Sequence, residues 1–250
     1  MNNDAFGKTP SGITKTPIIL CPPAGAAWLV SEGRRLVCLL RHGQTDWNIE
    51  RRLQGREHVP LNDEGRRQSR ECGELFIRAV EAGLDISCVY TSPLGRARET
   101  AGLLTEAIGA GEAKRLDLIT ERDYGILSGM TAEERRDFHR SGDKNDGCES
   151  IADTASRMRK ALILMTDEPG NGAVVAVTHG GIINALYSCI TSGRIGTGKN
   201  FSENCGVSLV AAGKDAVIPL AYGLTGDLFV DYVKDFYSAY ADICHSDRRE

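Results

Sequence analysis

The stretch Leu36-Val-Cys-Leu-Leu-Arg-His-Gly-Gln-Thr-Asp-Trp-Asn48 begins with five consecutive apolar residues and changes abruptly at Arg41 and His42. The apolar run is too short for a helix and has no polar alternation, which predicts a strand buried on both faces of a parallel sheet. Ligands of such sheets bind outside the carboxyl ends of the strands, where Arg41 and His42 stand. The stretch therefore predicts an α/β fold and the position of its site.

A second stretch repeats the same order further along the chain. Ala173-Val-Val-Ala-Val-Thr-His-Gly-Gly181 is again an apolar run that ends in His-Gly, and a helical pattern over residues 182–190 follows it. A glycine after each histidine lets a ligand approach the backbone closely. We therefore expect His42 and His179 to converge on one site.

A third buried strand is predicted over residues 86–90, followed by Thr91-Ser92-Pro93. Ser92 is a suitable helix cap and Pro93 suits the first turn of a helix. Arg96 would then lie in that first turn, again at the carboxyl end of a strand. Backbone N–H groups and a guanidinium group together predict an anion site there.

The remaining pattern predicts a strand over residues 116–120, followed by a loop that begins with Glu121. It also predicts a helix that begins near Asn62, a capping box at Thr131 and a helix over residues 149–167. Residues 206–212 and 216–222 predict a β-hairpin, and Pro219 indicates an edge strand. With no low-complexity linker, we expect one domain over residues 36–250, preceded by an N-terminal extension of residues 1–35 that packs on the domain or assists association.

Composition narrows the classes of function. The net charge of −4 argues against a general nucleic-acid binder, although it allows a small cationic pocket. The eight cysteines are scattered without a CxxC pair, which favours reduced, buried thiols in a cytosolic protein over a disulfide framework or a zinc site. The apolar residues 18–30 are too few to cross a bilayer and include Pro22, Pro23 and Gly25. We expect neither a nucleic-acid nor a membrane partner.

The residues at the predicted strand ends suit phosphoryl chemistry. Guanidinium groups match phosphate oxygens, a neutral imidazole is a competent nucleophile towards phosphorus, and a carboxyl group can protonate the departing oxygen. The candidate set is Arg41, His42, Asn48, Arg96, Glu121 and His179.

Five motifs occur in the order typical of one family: Leu40-Arg-His-Gly-Gln-Thr-Asp-Trp-Asn48; Gln54-Gly55 with Pro60-Leu-Asn-Asp-Glu-Gly65; Thr91-Ser-Pro-Leu-Gly-Arg-Ala-Arg-Glu-Thr-Ala101; Glu121-Arg-Asp-Tyr-Gly125; and Thr178-His-Gly-Gly181. Over about residues 36–212 the chain resembles the histidine phosphatase superfamily, in its phosphoglycerate-mutase-like branch. The fold we expect is a three-layer α/β/α sandwich around a mostly parallel central sheet.

The resemblance implies a role for each matching residue. His42 would be the phosphorylated histidine, Arg41 and Arg96 the phosphate clamps, His179 a further donor to the phosphoryl oxygens, and Glu121 the proton donor. The substrate-binding positions it implies are Asn48, Gln44, Thr45 and Gly180. Neither a metal nor another cofactor is expected, because fixed cations and donors meet the charge of the phosphoryl group.

Three functions remain open on the sequence alone. Mutases of this family usually carry a longer basic insertion after the glutamate loop. Here about two dozen residues separate Tyr124 from Glu149, with Lys144 as the one lysine among them. This favours a metal-independent phosphatase acting on a small phosphorylated metabolite over a cofactor-dependent phosphoglycerate mutase. The presence of His42, Arg96, Glu121 and His179 favours an enzyme over a catalytically silent phosphate sensor. Substrate choice is expected from rim residues 50–60, 126–148 and 193–205, and a homodimer is one option for the oligomeric state.

Overall fold

The computed structural model describes residues 17–142 and 147–246, whose strands form one sheet. The strands in these residues are β1 (Ile18–Ile19), β2 (Arg35–Arg41), β3 (Ile86–Thr91), β4 (Lys114–Arg115), β5 (Ala173–Thr178), β6 (Val207–Ala212) and β7 (Val217–Leu224). Their order across the sheet is β1-β7-β6-β2-β5-β3-β4. Strands β2, β5, β3 and β4 are mutually parallel, whereas β6 is antiparallel to β2 and to β7, and β1 is antiparallel to β7. The sheet is therefore mixed, with only β6 and β1 reversed.

Helices cover both faces of this sheet. The helices of the described residues are α1 (Pro23–Ser31), α2 (Asp46–Ile49), α3 (Asp63–Glu81), α4 (Gly95–Ala107), α5 (Ala132–Arg140), α6 (Ile151–Thr166), α7 (Gly180–Ile190) and α8 (Gly226–Ser246). One core cluster joins the sheet to α1, α3, α4 and α8, and a second joins its other face to α6 and α7. All residues of β2 are buried, with Leu36, Cys38 and Leu40 in the first cluster and Val37 and Leu39 in the second. The predicted three-layer fold is confirmed.

Two local predictions are wrong. Residues 116–120 do not form a strand, because only Lys114 and Arg115 pair with β3 and the chain then makes a 3₁₀ turn over Asp117–Ile119. The apolar side chains of this segment pack into the cluster beneath α6 and α7 instead of extending the sheet. Strand β7, which contains Pro219, is not an edge strand, because β1 pairs with Ala221 and Tyr222. Pro219 lies outside that short pairing, so its missing N–H costs no hydrogen bond to β1.

The described part of the N-terminal region packs against the rest of the chain. Strand β1 extends the sheet, and the hydroxyl of Tyr232 in α8 donates to the carbonyl oxygen of Cys21 (2.9 Å). Residues 1–16 lie outside the described residues, and the division of the chain at residue 35 stays a prediction. No helix within residues 17–142 and 147–246 is long and apolar enough to span a membrane.

The loop after β2 is pressed against the first turn of α3, and this contact requires glycine. A Cβ atom at Gly65 would lie 2.0 Å from the carbonyl oxygen of Gln44, and one at Gly43 would lie 2.4 Å from the carbonyl oxygen of Gly65. We expect Gly65→Ala to lower the free energy of unfolding by about 1–3 kcal/mol through overpacking. Because the displaced loop follows His42, activity should fall as well.

The matched control is Gly102→Ala in α4, where an added Cβ meets no atom within 4 Å. Alanine has a higher helix propensity than glycine, so the free energy of unfolding of this variant should rise by up to about 1 kcal/mol and its activity should stay unchanged. Urea unfolding of both variants measures the difference. Equal behaviour of the two would contradict the close contact between the loop and α3.

Candidate active site

Three neighbouring parallel strands bring the predicted residues together. Arg41 at the end of β2 is in register with Thr178 at the end of β5, and His42 N–H donates to the carbonyl oxygen of Thr178 (3.0 Å). On the other side of β5, Ser92 N–H donates to the carbonyl oxygen of Val177 (3.0 Å). The ends of β2, β5 and β3 therefore place His42, His179 and Ser92 side by side.

His42 is held in the tautomer that a nucleophile needs. Its ring is buried, with Nδ1 2.7 Å from the carbonyl oxygen of Gly43. A carbonyl oxygen only accepts, so Nδ1 bears the proton and Nε2 keeps its lone pair. Burial lowers the pKa of His42 well below 6.5, and the charges of Arg96 and Arg41 lower it further. The imidazole is therefore neutral, and the lone pair that an attack needs lies on Nε2, which accepts a hydrogen bond from Nε–H of Arg96 (3.3 Å).

Arg96 joins the nucleophile to the loop that precedes α3. Its side chain is fully buried, with Nε 3.3 Å from Nε2 of His42, while Nη1 and Nη2 donate to the carbonyl oxygens of Glu57 and Gly55 (2.8 Å each). Burial lowers the pKa of Arg96 to about 10, which still leaves it protonated at neutral pH. It lies in the first turn of α4, as predicted.

Arg41 is the second buried cation of the site. Nη1 donates to the carbonyl oxygen of Ser202 (2.6 Å), and the guanidinium carbon lies 4.6 Å from the ring centroid of Phe201. Its Nε is buried and has no hydrogen-bond partner among the described residues. Burial lowers the pKa of Arg41, while Glu121 opposes that change. An anion bound beside His42 would give this unsatisfied donor a partner.

His179 packs edge-on against His42, with ring centroids 5.1 Å apart. Its Nε2 lies 2.7 Å from the Ser92 hydroxyl, and its buried Nδ1 has no partner among the described residues. Ser92 was predicted to cap α4, but the residue at that position is Leu94, without a side-chain cap. Ser92 contacts His179 because the chain runs on through Pro93 and Leu94 before the helix begins.

Glu121 is anchored at the beginning of α7. Its Oε1 accepts from the N–H groups of Ile182 (2.8 Å) and Arg122 (2.7 Å), and its Oε2 accepts from Gly181 N–H (2.9 Å). A Cβ atom at Gly181 would lie 2.7 Å from Oε1 of Glu121 and 2.3 Å from the hydroxyl of Tyr124, so only glycine permits this approach.

The predicted substrate-binding residues fall into two groups. Thr45 is buried and caps α2 in a reciprocal capping box with Asn48, so both have structural partners. The amide oxygen of Gln44 accepts from Asn62 (3.2 Å), which ties it to the cap of α3. Gly180 opens α7, where an added Cβ would lie 3.3 Å from Nε of Arg41. Gly180 thus lies beside Arg41, while binding of substrate by all four residues stays a prediction.

Several contacts of the site were not predicted from the sequence. Asn204 donates from Nδ2 to the carbonyl oxygen of His42 (2.9 Å) and to Oδ1 of Asn48 (3.2 Å), so it closes the loop after β2. Phe201 and Ser202 hold Arg41. All three lie in residues 193–205, which the sequence marked as a rim. Irregular loops have no periodicity that could reveal such partners.

Buried neutral histidines make the stability of the chain dependent on pH. The pKa values of His42 and His179 are both lowered well below 6.5, mainly by burial. As the pH falls below about 6.5, the unfolded chain binds protons that the folded chain does not, so stability should fall by about 1.4 kcal/mol per pH unit for each histidine. Replacing His179 with Asn should reduce this slope in urea unfolding, whereas His139→Ala, at an exposed position, should leave it unchanged.

Comparison with known proteins places the chain in a family. Residues 37–223 match the model of the histidine phosphatase superfamily, branch 1, and the chain belongs to this superfamily. The uncharacterized phosphatase PhoE of Bacillus subtilis is 36% identical over 157 residues, which cover 63% of this chain and 78% of PhoE. The probable phosphoglycerate mutase GpmB of Klebsiella pneumoniae is 34% identical over 170 residues, which cover 62% of this chain and 74% of GpmB.

Solved structures share the fold. A mycobacterial glucosyl-3-phosphoglycerate phosphatase in complex with VO₃ superposes with a TM-score of 0.59 at 26% identity, covering 71% of this chain and 92% of that protein. The resemblance inferred from the five motifs is thereby confirmed at the level of the superfamily.

Proposed function

We propose that this chain is a phosphatase that hydrolyses a small phosphomonoester through a phosphohistidine on His42. The observation that carries the proposal is the neutral, Nδ1-protonated His42, whose Nε2 lies beside the buried guanidinium of Arg96. A nucleophile among fixed cations suits a dianionic phosphate group, because these cations neutralise its oxygens without reorganising. The similarity to a protein named as a phosphatase supports the same reaction.

In the first step Nε2 of His42 attacks phosphorus in line with the departing oxygen. Arg41 and Arg96 bind the phosphoryl oxygens, and His179 contributes a further donor to them. Glu121 gives a proton to the leaving alcohol as the bond between phosphorus and oxygen breaks. The first step yields the free alcohol and phosphorylated His42.

In the second step water attacks the phosphohistidine. Glu121, now a carboxylate, takes the proton of that water, and the N–H groups of Gly181 and Ile182 at the beginning of α7 stabilise its negative charge. Inorganic phosphate leaves and His42 returns to its neutral form. Because Arg41 and Arg96 supply the positive charge, we propose that the reaction needs no metal ion.

Phosphoglycerate mutase is the second candidate, since GpmB carries that name among the relatives. The short segment between Tyr124 and Glu149 supports the phosphatase, but Lys144, the lysine within it, lies outside the described residues.

A small phosphorylated metabolite is the proposed partner. The eight cysteines are all described and all free, which supports the proposed cytoplasmic location.

The test is phosphate release from sugar, nucleotide and glycerate phosphates in the presence of a chelator. If the chain is a metal-independent phosphatase, at least one of these compounds should release phosphate as fast with the chelator as without it. Interconversion of 2- and 3-phosphoglycerate that requires a bisphosphoglycerate primer would identify a mutase instead. A folded chain that performs neither reaction would overturn both enzymatic assignments.

A further inference from the structure

Two charged residues outside the catalytic group hold the backbone on which Glu121 stands. Arg157 lies on α6 and Glu149 lies just before that helix, and both side chains are largely buried, with 15% and 14% of their surface exposed. Nε of Arg157 donates to Oε1 of Glu149 (2.6 Å), and Nη2 donates to Oε2 (2.9 Å). This two-point geometry fixes the plane of the guanidinium group.

The remaining donors of Arg157 bind the chain on the N-terminal side of Glu121. Nη1 donates to the carbonyl oxygens of Leu118 (2.9 Å) and Thr120 (2.5 Å), and Nη2 donates to that of Glu121 itself (3.0 Å). A guanidinium group has five N–H donors, and every one is used here. Lysine has three donors around a single nitrogen, so it could not reproduce this set of contacts.

Glu149 binds the chain on the other side of Glu121. Its Oε2 accepts from Asp123 N–H (3.1 Å), and its backbone N–H donates to the carbonyl oxygen of Asp123 (2.9 Å). Its own carbonyl oxygen accepts from Nε of Arg122 (2.7 Å). Arg157 and Glu149 therefore hold the backbone of residues 118–123 by hydrogen bonds, while N–H groups of α7 bind the carboxylate of Glu121 separately.

We propose that Arg157 and Glu149 are positioning residues that set the location of the Glu121 carboxyl group relative to His42. Neither touches the reacting atoms, and the proposal rests on the proposed function of Glu121 as the proton donor. Glu121 lies in an irregular loop, not in a helix or strand, so its backbone needs such external support. A shift of about 1 Å in a proton donor can cost roughly 10²-fold in rate.

The chemistry offers a readout that a purely structural role would not change. An alkyl phosphate has a poor leaving group, so its hydrolysis needs the proton from Glu121. The leaving group of 4-nitrophenyl phosphate departs readily as an anion and needs little help. A misplaced Glu121 should therefore slow the alkyl substrate selectively, whereas partial unfolding lowers the active fraction and slows both substrates equally.

The experiment compares kcat/KM for 4-nitrophenyl phosphate and for the alkyl phosphate that the unmodified chain hydrolyses fastest. Arg157→Lys and Glu149→Gln should each lower the alkyl rate by roughly 10²-fold and the aryl rate by no more than about threefold. Glu121→Gln is the reference and should show the same selectivity. Arg159→Lys, exposed on the same helix, is the matched control and should leave both rates unchanged.

Each outcome is informative. In one outcome Glu121→Gln lowers kcat/KM selectively for the alkyl phosphate, but Arg157→Lys and Glu149→Gln lower it equally for both substrates. That result would overturn the positioning role and leave the proposed function intact. Equal losses in Glu121→Gln would overturn the assignment of Glu121 as the acid, and the positioning proposal with it. Absence of turnover by the unmodified chain would overturn the proposed function itself. Should Arg157→Lys fail to fold, Glu149→Gln, which preserves the side-chain shape, decides the question.

Discussion

Replacing His42 with alanine is expected to lower kcat by roughly 10⁴-fold or more, because the variant lacks the attacking Nε2 lone pair. In the structure this nitrogen is the one that faces Arg96, and its partner Nδ1 is committed to the carbonyl oxygen of Gly43. No phosphorylated protein should accumulate in the variant. Rapid quenching during turnover of a labelled substrate, followed by denaturation in base, measures the phosphohistidine, since the P–N bond survives base and breaks in acid.

The matched control for this experiment is His139→Ala, which removes an exposed histidine of α5. It should keep both the turnover and the base-stable label. A His42→Ala variant that retains the label would show that another group is phosphorylated. Near-native unfolding of the variant in urea would exclude collapse of the site as the reason for its lost activity.

Removal of Arg96 is expected to have the second-largest effect. Arg96→Ala deletes a buried cation next to His42 and the donor that binds the carbonyl oxygens of Gly55 and Glu57. The fixed charge that stabilises the transferring phosphoryl group is lost, so kcat/KM should fall by roughly 10³-fold. Inorganic phosphate, the product, should also bind more weakly. Its effect on the melting temperature measures this loss, because a ligand of the folded state raises that temperature.

Arg98→Ala provides the matched control, since Arg98 lies two residues further along α4 and is exposed. This variant should respond to phosphate and turn over substrate as the unmodified chain does. If Arg96→Ala kept its thermal response to phosphate, Arg96 would not be a phosphate clamp and its role would be limited to holding the loop at Gly55 and Glu57.

Some of the candidate site was predictable because the signal is local. An apolar run without alternation is required wherever both faces of a strand are buried, and β2 and β5 are buried throughout. The polar residues that follow such runs must stand at the carboxyl edge of the sheet. His42, His179 and Arg96 were located by this reasoning, and parallel pairing then brings them together.

Contacts between distant segments were not predictable in the same way. Arg157 meets the carbonyl oxygen of Glu121 from 36 residues away, and Asn204 reaches that of His42 from 162 residues away. Residue patterns report which face of an element is buried, but not which element covers it. The misassigned role of Ser92 has the same origin, since its capping potential is local and its contact with His179 is not.

The sequence by itself therefore determined the sheet-forming runs, the two His-Gly strand ends and the family to which the chain belongs. Only the tertiary structure decided the chemical state of the site. His42 is neutral because packing excludes water from its ring and sets Arg96 and Arg41 beside it. Glu121 is held at two places: N–H groups at the beginning of α7 bind its carboxylate, and Arg157 binds its backbone carbonyl oxygen. Burial and charge proximity arise from the whole fold, because each depends on segments that are far apart in the chain.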